Sequence, residues 1–190
     1  MIKYAFHFLI TTGLLLATVN YAYAQEAKYE LDYMLVDSTL GNNKYQPNAV
    51  QLKYLIPYTQ NFEFEGALGF GAGVESAHFK YQLATDYTQH FRLTDFVGLY
   101  LKAHVEIEPK VLAFAHAGLV RMEYNISSSI TQIKPDGTVS HTGLGYGIGI
   151  SMKLLEHSSF ILIYDHFPDA KSDAINIRST ALSIGFQSTF

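Results

Sequence analysis

Apolar and polar residues alternate with a period of two along most of the chain. Residues 179–189 show this most clearly, because small or polar side chains on one parity face larger, mostly apolar side chains on the other. Such alternation is typical of a β-strand with two unlike faces, whereas no helical period is sustained after residue 24. Further strand-like segments span residues 28–35, 49–56, 62–74, 97–106, 111–124, 143–154 and 160–167. The pattern predicts an all-β fold, although the parity of 111–124 and 160–167 is unclear because both of their faces are apolar.

The connections between these segments alternate between short and long. Residues 57–61, 108–110 and 155–159 form short connections, and the longer, polar ones span residues 37–47, 75–94, 125–142 and 168–175. This rhythm fits an eight-stranded antiparallel up-and-down transmembrane β-barrel, with short turns at the periplasm and longer loops outside. The alternative is a soluble periplasmic lipocalin-like carrier, in which the apolar parity would face inward.

The first 24 residues have the features of a secretory signal peptide. Lys3 precedes an apolar core, and Ala22 and Ala24 form a small-residue cleavage site. We therefore expect processing near Ala24 and one domain over residues 25–190. The chain contains no cysteine, which excludes disulfides and thiolate sites, and its net charge of −4 includes no basic stripe for nucleic acid. No later stretch is apolar enough for a membrane helix, so a membrane-spanning chain would have to form a closed barrel.

The parity opposite to the apolar one carries charges of both signs. If the apolar parity faces lipid, these residues point into the lumen, which in an eight-stranded barrel is filled by side chains. We therefore predict a packed network of ion pairs. Its members are Glu30, Asp32, Lys53, Glu63, Glu65, Lys102, His104, Glu106 and Lys153. Glu63 and Glu65 could alternatively form a catalytic carboxylate pair, but a filled lumen would give a substrate no path. Glycines at 69, 71, 73, 145, 147 and 149 are expected to relieve crowding inside.

Two glycine-rich segments and the terminal aromatic residue resemble a known group. FEFEGALGFGAGV, HTGLGYGIGIS and the final Phe190 resemble the small OmpA/OmpX-type outer-membrane proteins, in the outer-membrane protein β-barrel domain group. This resemblance implies a protein of the bacterial outer membrane, surrounded by outer-membrane lipid and lipopolysaccharide. It also implies insertion by the barrel-assembly machinery, with Phe186 and Phe190 as the assembly signal. Lipid A deacylases of similar size use a His-x-Ser motif, whereas here the adjacent His157 and Ser158 fall in a predicted periplasmic turn.

The sequence therefore predicts a monomeric, non-enzymatic barrel with no cofactor or metal. Its role would be envelope integrity, or surface recognition and adhesion to a host or surface ligand through the outer loops. The longest loop, 75–94, is the most aromatic, and we expect its Phe79, Tyr81, Tyr87 and Phe91 to contact a partner. The same residues can also be interpreted as strands that continue above the membrane and pair with each other. Alternative functions are a lipid-modifying enzyme and a narrow pore.

Overall fold

Antiparallel strands make up nearly all of the fold. A computed structural model describes residues 27–81, 85–129, 137–172 and 175–189, so the predicted signal peptide and Phe190 lie outside the described residues. The strands are β1 (Lys28–Leu40), β2 (Asn43–Tyr45), β3 (Asn48–Thr59), β4 (Phe62–Gly71), β5 (Glu75–Tyr81), β6 (Thr85–Glu108), β7 (Val111–Ser128), β8 (Gly137–Leu155), β9 (Ser158–His166), β10 (Ala170–Ser172) and β11 (Ile175–Thr189). Over these ranges, no helix is long and apolar enough to cross a membrane.

Eight of these strands close into a ring. Each strand pairs with the next in the order β1, β3, β4, β6, β7, β8, β9 and β11. The last strand returns to the first, with pairs running from Lys28 opposite Thr189 to Leu40 opposite Ile177. The short strands β2, β5 and β10 pair with β1, β6 and β11 respectively. The predicted eight-stranded antiparallel up-and-down barrel is therefore confirmed.

Large apolar side chains cover the outside of the ring. Leu31, Phe64, Leu101, Ile148 and Phe186 are all exposed, as are their neighbours of the same parity on adjacent strands. A continuous exposed apolar surface of this kind is the lipid-facing band of a transmembrane barrel. The lipocalin-like alternative is therefore wrong, since it requires these side chains to point inward.

The two ends of the barrel differ as the connection lengths predict. At one end, two-residue turns at 60–61, 109–110 and 156–157 join consecutive strands, and Lys110 adopts a positive φ of 77°. At the other end, the predicted loops contain β2, β5 and β10. Most of the predicted loop 75–94 is a hairpin of β5 and β6, paired from Glu75 opposite Phe91 to Tyr81 opposite Thr85. Of the two interpretations of this segment, continued strand pairing is the one observed.

Candidate functional site

A cluster of buried charges fills the part of the lumen that lies within the apolar band. Lys53 is at its centre and is 0% exposed. Its Nζ lies 2.7 Å from Glu30 Oε1, 3.0 Å from Asp32 Oδ2 and 3.8 Å from Glu65 Oε1. Lys102 Nζ approaches the other oxygens of the two glutamates, at 3.6 Å from Glu30 Oε2 and 4.0 Å from Glu65 Oε2. The two lysines and three carboxylates therefore form one network, as buried charges require.

A buried histidine extends this network to the opposite wall. His116 Nε2 lies 2.6 Å from Asp165 Oδ1, and His116 Nδ1 lies 3.3 Å from Glu65 Oε1. The imidazole stacks almost parallel on the Tyr100 ring, with 4.6 Å between ring centroids and 14° between planes. Because both ring nitrogens face carboxylate oxygens, the arrangement favours the doubly protonated imidazolium, which is hydrogen-bonded to Asp165 through Nε2 and within ion-pair distance of Glu65 through Nδ1.

Of the nine residues predicted for the lumen, the structure brings six together and leaves three apart. Glu30, Asp32, Lys53, Glu63, Glu65 and Lys102 are buried inside, and Glu63 is paired with Lys28. In contrast, His104 is only half-buried, with Nε2 2.9 Å from Gln60 O in a short turn. Glu106 and Lys153 are exposed. The prediction that these three residues belong to the lumen network is therefore corrected. Their strands extend beyond the closed interior, and the apolar–polar alternation of the sequence continues there.

Other network members were not singled out from the sequence. His116 and Asp165 lie on β7 and β9, the two segments whose parity was unclear. Gln187 on β11 donates from Nε2 to Glu30 Oε2 at 3.1 Å. The available signal was a titratable residue next to a run of apolar residues, 111–120 around His116 and 160–164 before Asp165, since such a residue is costly unless it has a buried partner.

Two lumen glycines make room for charged side chains. A Cβ at Gly147 would lie 2.2 Å from Asp165 Oδ1 and 2.5 Å from His116 Nε2. A Cβ at Gly185 would lie 1.8 Å from Asp32 Oδ1. The lack of a side chain at these positions therefore permits the network, consistent with the close approach that strand glycines allow.

An apolar plug occupies the lumen on the outer side of the charged network. It contains Met34, Val36, Leu40, Tyr45, Ala49, Ala67, Phe91, Leu93, Phe96, Tyr100, Val120, Met122, Tyr124, Ile126, Phe167, Ala170, Ile177 and Ala181. Phe91 packs between Tyr45 and Tyr124, at 4.9 Å and 5.3 Å between ring centroids. Inward apolar residues, in the plug for β7 and in a separate cluster with Ile161 and Ile163 for β9, explain why both faces of these strands are apolar in the sequence. The expectation that Phe91 contacts a partner is corrected, since its side chain is 0% exposed.

The few polar groups inside the plug are satisfied by each other. Tyr45 donates from its hydroxyl to Gln89 Oε1 at 2.7 Å. Burial and, to a smaller extent, the neighbouring Tyr87 raise the pKa of Tyr45 to about 12, so this hydroxyl stays neutral and remains a donor. Ser179 Oγ lies 2.8 Å from both Ser38 Oγ and the Tyr124 hydroxyl. These hydrogen bonds hold the ends of opposite strands together above the lipid band.

The β5–β6 hairpin presents polar side chains on its outer face. Ser76 Oγ lies 2.7 Å from His90 Nδ1, and Thr88 Oγ1 lies 2.9 Å from His78 Nδ1. Both pairs are exposed, and so is Arg92 on the same strand as His90. We call Ser76, His78, Thr88, His90 and Arg92 the hairpin face. These pairs do not follow from the sequence pattern, because they depend on the cross-strand register.

The other predicted loop contacts are Phe79, Tyr81 and Tyr87. Tyr87 is half-buried, and the side chains of Phe79 and Tyr81 lie outside the described residues. Over the described ranges, no three His, Asp or Glu side chains are grouped so that they could hold a metal ion. The hairpin face is therefore the more accessible part of this predicted loop.

The lipid-facing band, the filled lumen and the short-turn end are features of outer-membrane barrels. The model of the outer membrane protein beta-barrel domain family matches residues 9–190. The chain belongs to this family. As an outer membrane protein beta-barrel domain, it is a protein of the bacterial outer membrane. No curated protein matches its sequence.

Solved structures of other outer-membrane proteins have the same fold. Neisserial surface protein A is 13% identical, with 86% of this chain and 97% of that chain covered and a TM-score of 0.61. Ail, the attachment invasion locus protein of Yersinia pestis, is 16% identical, with coverage of 85% and 97% and a TM-score of 0.54. OprG from Pseudomonas aeruginosa is 11% identical, with coverage of 87% and 96% and a TM-score of 0.53. At these identities the likeness shows the fold alone.

Proposed function

We propose that this outer-membrane barrel is a closed, monomeric and non-enzymatic scaffold that acts through its outer surface. The observation that carries this proposal is the two-layer filling of the lumen. The charged network around Lys53 occupies one layer, and the apolar plug around Phe91 occupies the layer above it. Because buried side chains take up the interior, recognition of a partner falls to the strands and loops that project beyond the lipid band.

The same filling argues against a narrow pore. An eight-stranded barrel has an interior just wide enough for side chains to fill it. Met34, Phe91, Leu93 and Met122 are all 0% exposed. To pass the plug, a hydrated ion would have to displace these apolar side chains. The free-energy cost of that displacement is too high for a conducting pathway.

The hairpin face supports surface recognition or adhesion. It projects beyond the apolar band and offers imidazole, hydroxyl and guanidinium groups to a ligand. Ail, which shares this fold, is named for attachment and invasion and was crystallised with the heparin analogue sucrose octasulfate. By analogy, we propose that an anionic host or surface glycan is a ligand of the hairpin face, since guanidinium groups pair with such anions and imidazole and hydroxyl groups donate hydrogen bonds to them.

Cell adhesion tests this proposal. Bacteria that display the wild-type protein are compared with bacteria that display the triple variant His78→Ala, His90→Ala, Arg92→Ala, for binding to heparin-coated surfaces. We expect the triple variant to lose most of the adhesion, whereas a Thr39→Ala control, on β1, retains it. Equal adhesion of the wild type, the triple variant and cells without the protein would reject recognition by this face. Increased detergent sensitivity of cells without the protein would then favour a role in envelope integrity.

Insertion into the outer membrane also forms part of the proposal. Phe186 is exposed on β11 and packs edge-on against Phe160, at 5.8 Å between ring centroids. We propose that Phe186 and Phe190 are read by the barrel-assembly machinery, and that lipid and lipopolysaccharide surround the finished band. Replacing both phenylalanines with alanine should lower the amount of protein in the outer membrane, and an unchanged amount would reject this role.

One observation favours a second candidate function, hydrolysis of an outer-leaflet lipid. Ser76 Oγ and His90 Nδ1 are within hydrogen-bond distance on the outer surface, which is the geometry of a nucleophile and its base. Among the described residues, however, no carboxylate lies within ion-pair distance of His90 to orient its imidazole. Incubation of the purified protein with lipopolysaccharide vesicles tests this candidate. Release of fatty acid by the wild type but not by Ser76→Ala would establish the enzyme and reject the scaffold proposal.

A further inference from the structure

Several buried polar side chains in the lumen have oxygens without hydrogen-bond partners, and three of them lie on neighbouring strands. Within the described part of the chain, Asp32 Oδ1, Gln51 Oε1 and Ser183 Oγ have no hydrogen-bond partner, and Asp32 Oδ2 has only its ion pair with Lys53 Nζ at 3.0 Å. Asp32 is 1% exposed, Gln51 is 2% exposed and Ser183 is 0% exposed. Unpaired polar atoms at this depth are costly, and native structures normally satisfy them with protein, water or an ion.

These side chains lie on the inner face of three neighbouring strands. Asp32 on β1 is directly opposite Gln51 on β3 and directly opposite Gly185 on β11. Ser183 is two residues from Gly185 on the same face of β11, so it is a diagonal neighbour of Asp32. Asp32 Oδ1 lies over Gly185, where a Cβ would approach it to 1.8 Å. One carboxylate, one amide and one hydroxyl group therefore lie on three neighbouring strands, within two residue positions of direct register.

The charge balance of the network indicates what these oxygens hold. The buried carboxylates outside the Lys28–Glu63 pair are Glu30, Asp32, Glu65 and Asp165. Lys53, Lys102 and a doubly protonated His116 compensate three of these four charges. With all four carboxylates ionised, one negative charge remains in a lumen enclosed by lipid, where an unpaired ion is strongly disfavoured. Asp32 has the weakest compensation, since its single cationic contact is Lys53 Nζ at 3.0 Å, which Glu30 and Glu65 share.

We propose that Asp32, Gln51 and Ser183 bind a monovalent alkali cation, sodium or potassium, inside the barrel. Oxygen atoms are the ligands that hard cations prefer. A single positive charge completes the balance, whereas a divalent ion would overcompensate it close to the ammonium of Lys53.

Thermal unfolding in different salts tests the cation site. The protein is purified from outer membranes in detergent, and its melting temperature is measured at equal ionic strength in sodium, potassium and choline chloride. We expect a melting temperature about 5–10 °C higher in the alkali salts, if the cation is present at about a hundred times its Kd. In crystals grown with rubidium, an anomalous peak should lie beside Asp32 Oδ1. Equal melting temperatures in all three salts, without such a peak, would overturn the proposal in favour of bound water.

Two variants and one control locate the effect. Asp32→Asn should remove the difference between sodium and choline, whereas Asp37→Asn, an exposed carboxylate on the same strand, should retain it. If Asp32→Asn does not fold, Ser183→Ala should need a roughly two- to tenfold higher sodium concentration for the same stabilisation, as expected for one lost contact. An unchanged sodium dependence in Ser183→Ala would overturn the proposal. The proposal would also be overturned if the wild-type stability varied with pH but was the same in choline as in the alkali salts. A proton on Asp32 would then balance the charge.

Discussion

Replacing Lys53 with methionine removes the central positive charge of the lumen and preserves most of the side-chain volume. Lys53 is 0% exposed, and its Nζ contacts Glu30, Asp32 and Glu65 at 2.7, 3.0 and 3.8 Å. Methionine leaves these three carboxylates in place without that partner. The expected result is a strongly destabilised barrel.

The magnitude follows from the burial of the pairs. Breaking one buried ion pair by removing one partner costs about 3–5 kcal/mol, because the other charge stays buried and uncompensated. Lys102 still approaches Glu30 and Glu65, at 3.6 Å and 4.0 Å, so those two carboxylates keep part of their compensation. Asp32 has no second cationic contact among the described residues. We therefore expect a loss of at least about 3–5 kcal/mol in the free energy of unfolding.

Urea unfolding of the barrel in lipid vesicles measures this loss. Lys153→Met is the matched control, because Lys153 has the same inward parity in the sequence but is exposed. The control should change the free energy of unfolding by less than about 1 kcal/mol. The double variant Lys53→Met, Glu30→Gln should recover part of the loss, since it also removes one of the unpaired charges. Equal effects of Lys53→Met and Lys153→Met would refute the reasoning.

Three other predictions concern packing and membrane assembly. Gly147→Ala should cost about 1–3 kcal/mol, because its Cβ would lie 2.2 Å from Asp165 Oδ1. The control Gly66→Ala, with its nearest neighbour at 3.9 Å, should be close to neutral in the same urea assay. Phe91→Ala should cost about 3–5 kcal/mol, because it opens a cavity in the plug; a loss below about 1 kcal/mol would contradict the burial of this ring. The protein should migrate with the outer-membrane fraction and shift on a gel after boiling, and a soluble band without a shift would contradict a closed barrel.

The sequence predicted the lipid-facing side of the barrel well but the extent of the lumen less well. Alternation on β4, β8 and β11 identifies the outward parity, because lipid outside and a glycine-rich interior differ strongly in composition. The same period places His104, Glu106 and Lys153 inside, although their strands have by then passed beyond the closed interior. A period of two gives the side of a residue but not its height along the barrel axis.

The inner contacts depend on features that a single sequence does not reveal. His116 and Asp165 are far apart in sequence and lie in segments that are apolar on both parities, so their 2.6 Å contact depends on the closure of the barrel. Phe91 is predicted to lie in an exposed loop because nothing in the sequence distinguishes an aromatic loop from strands that extend above the membrane. These extended strands enclose an apolar core, and Phe91 is part of it. The Ser76–His90 contact likewise depends on the hairpin register.

Ion conductance across a planar lipid bilayer tests the central claim that the lumen is sealed. The purified protein is inserted into the bilayer, and single-channel currents are recorded in potassium chloride at both polarities. The charged network around Lys53 and the plug around Phe91 predict that the inserted wild-type protein carries no steady current. Stable, reproducible current steps from the wild-type protein would contradict the sealed lumen and favour the narrow pore.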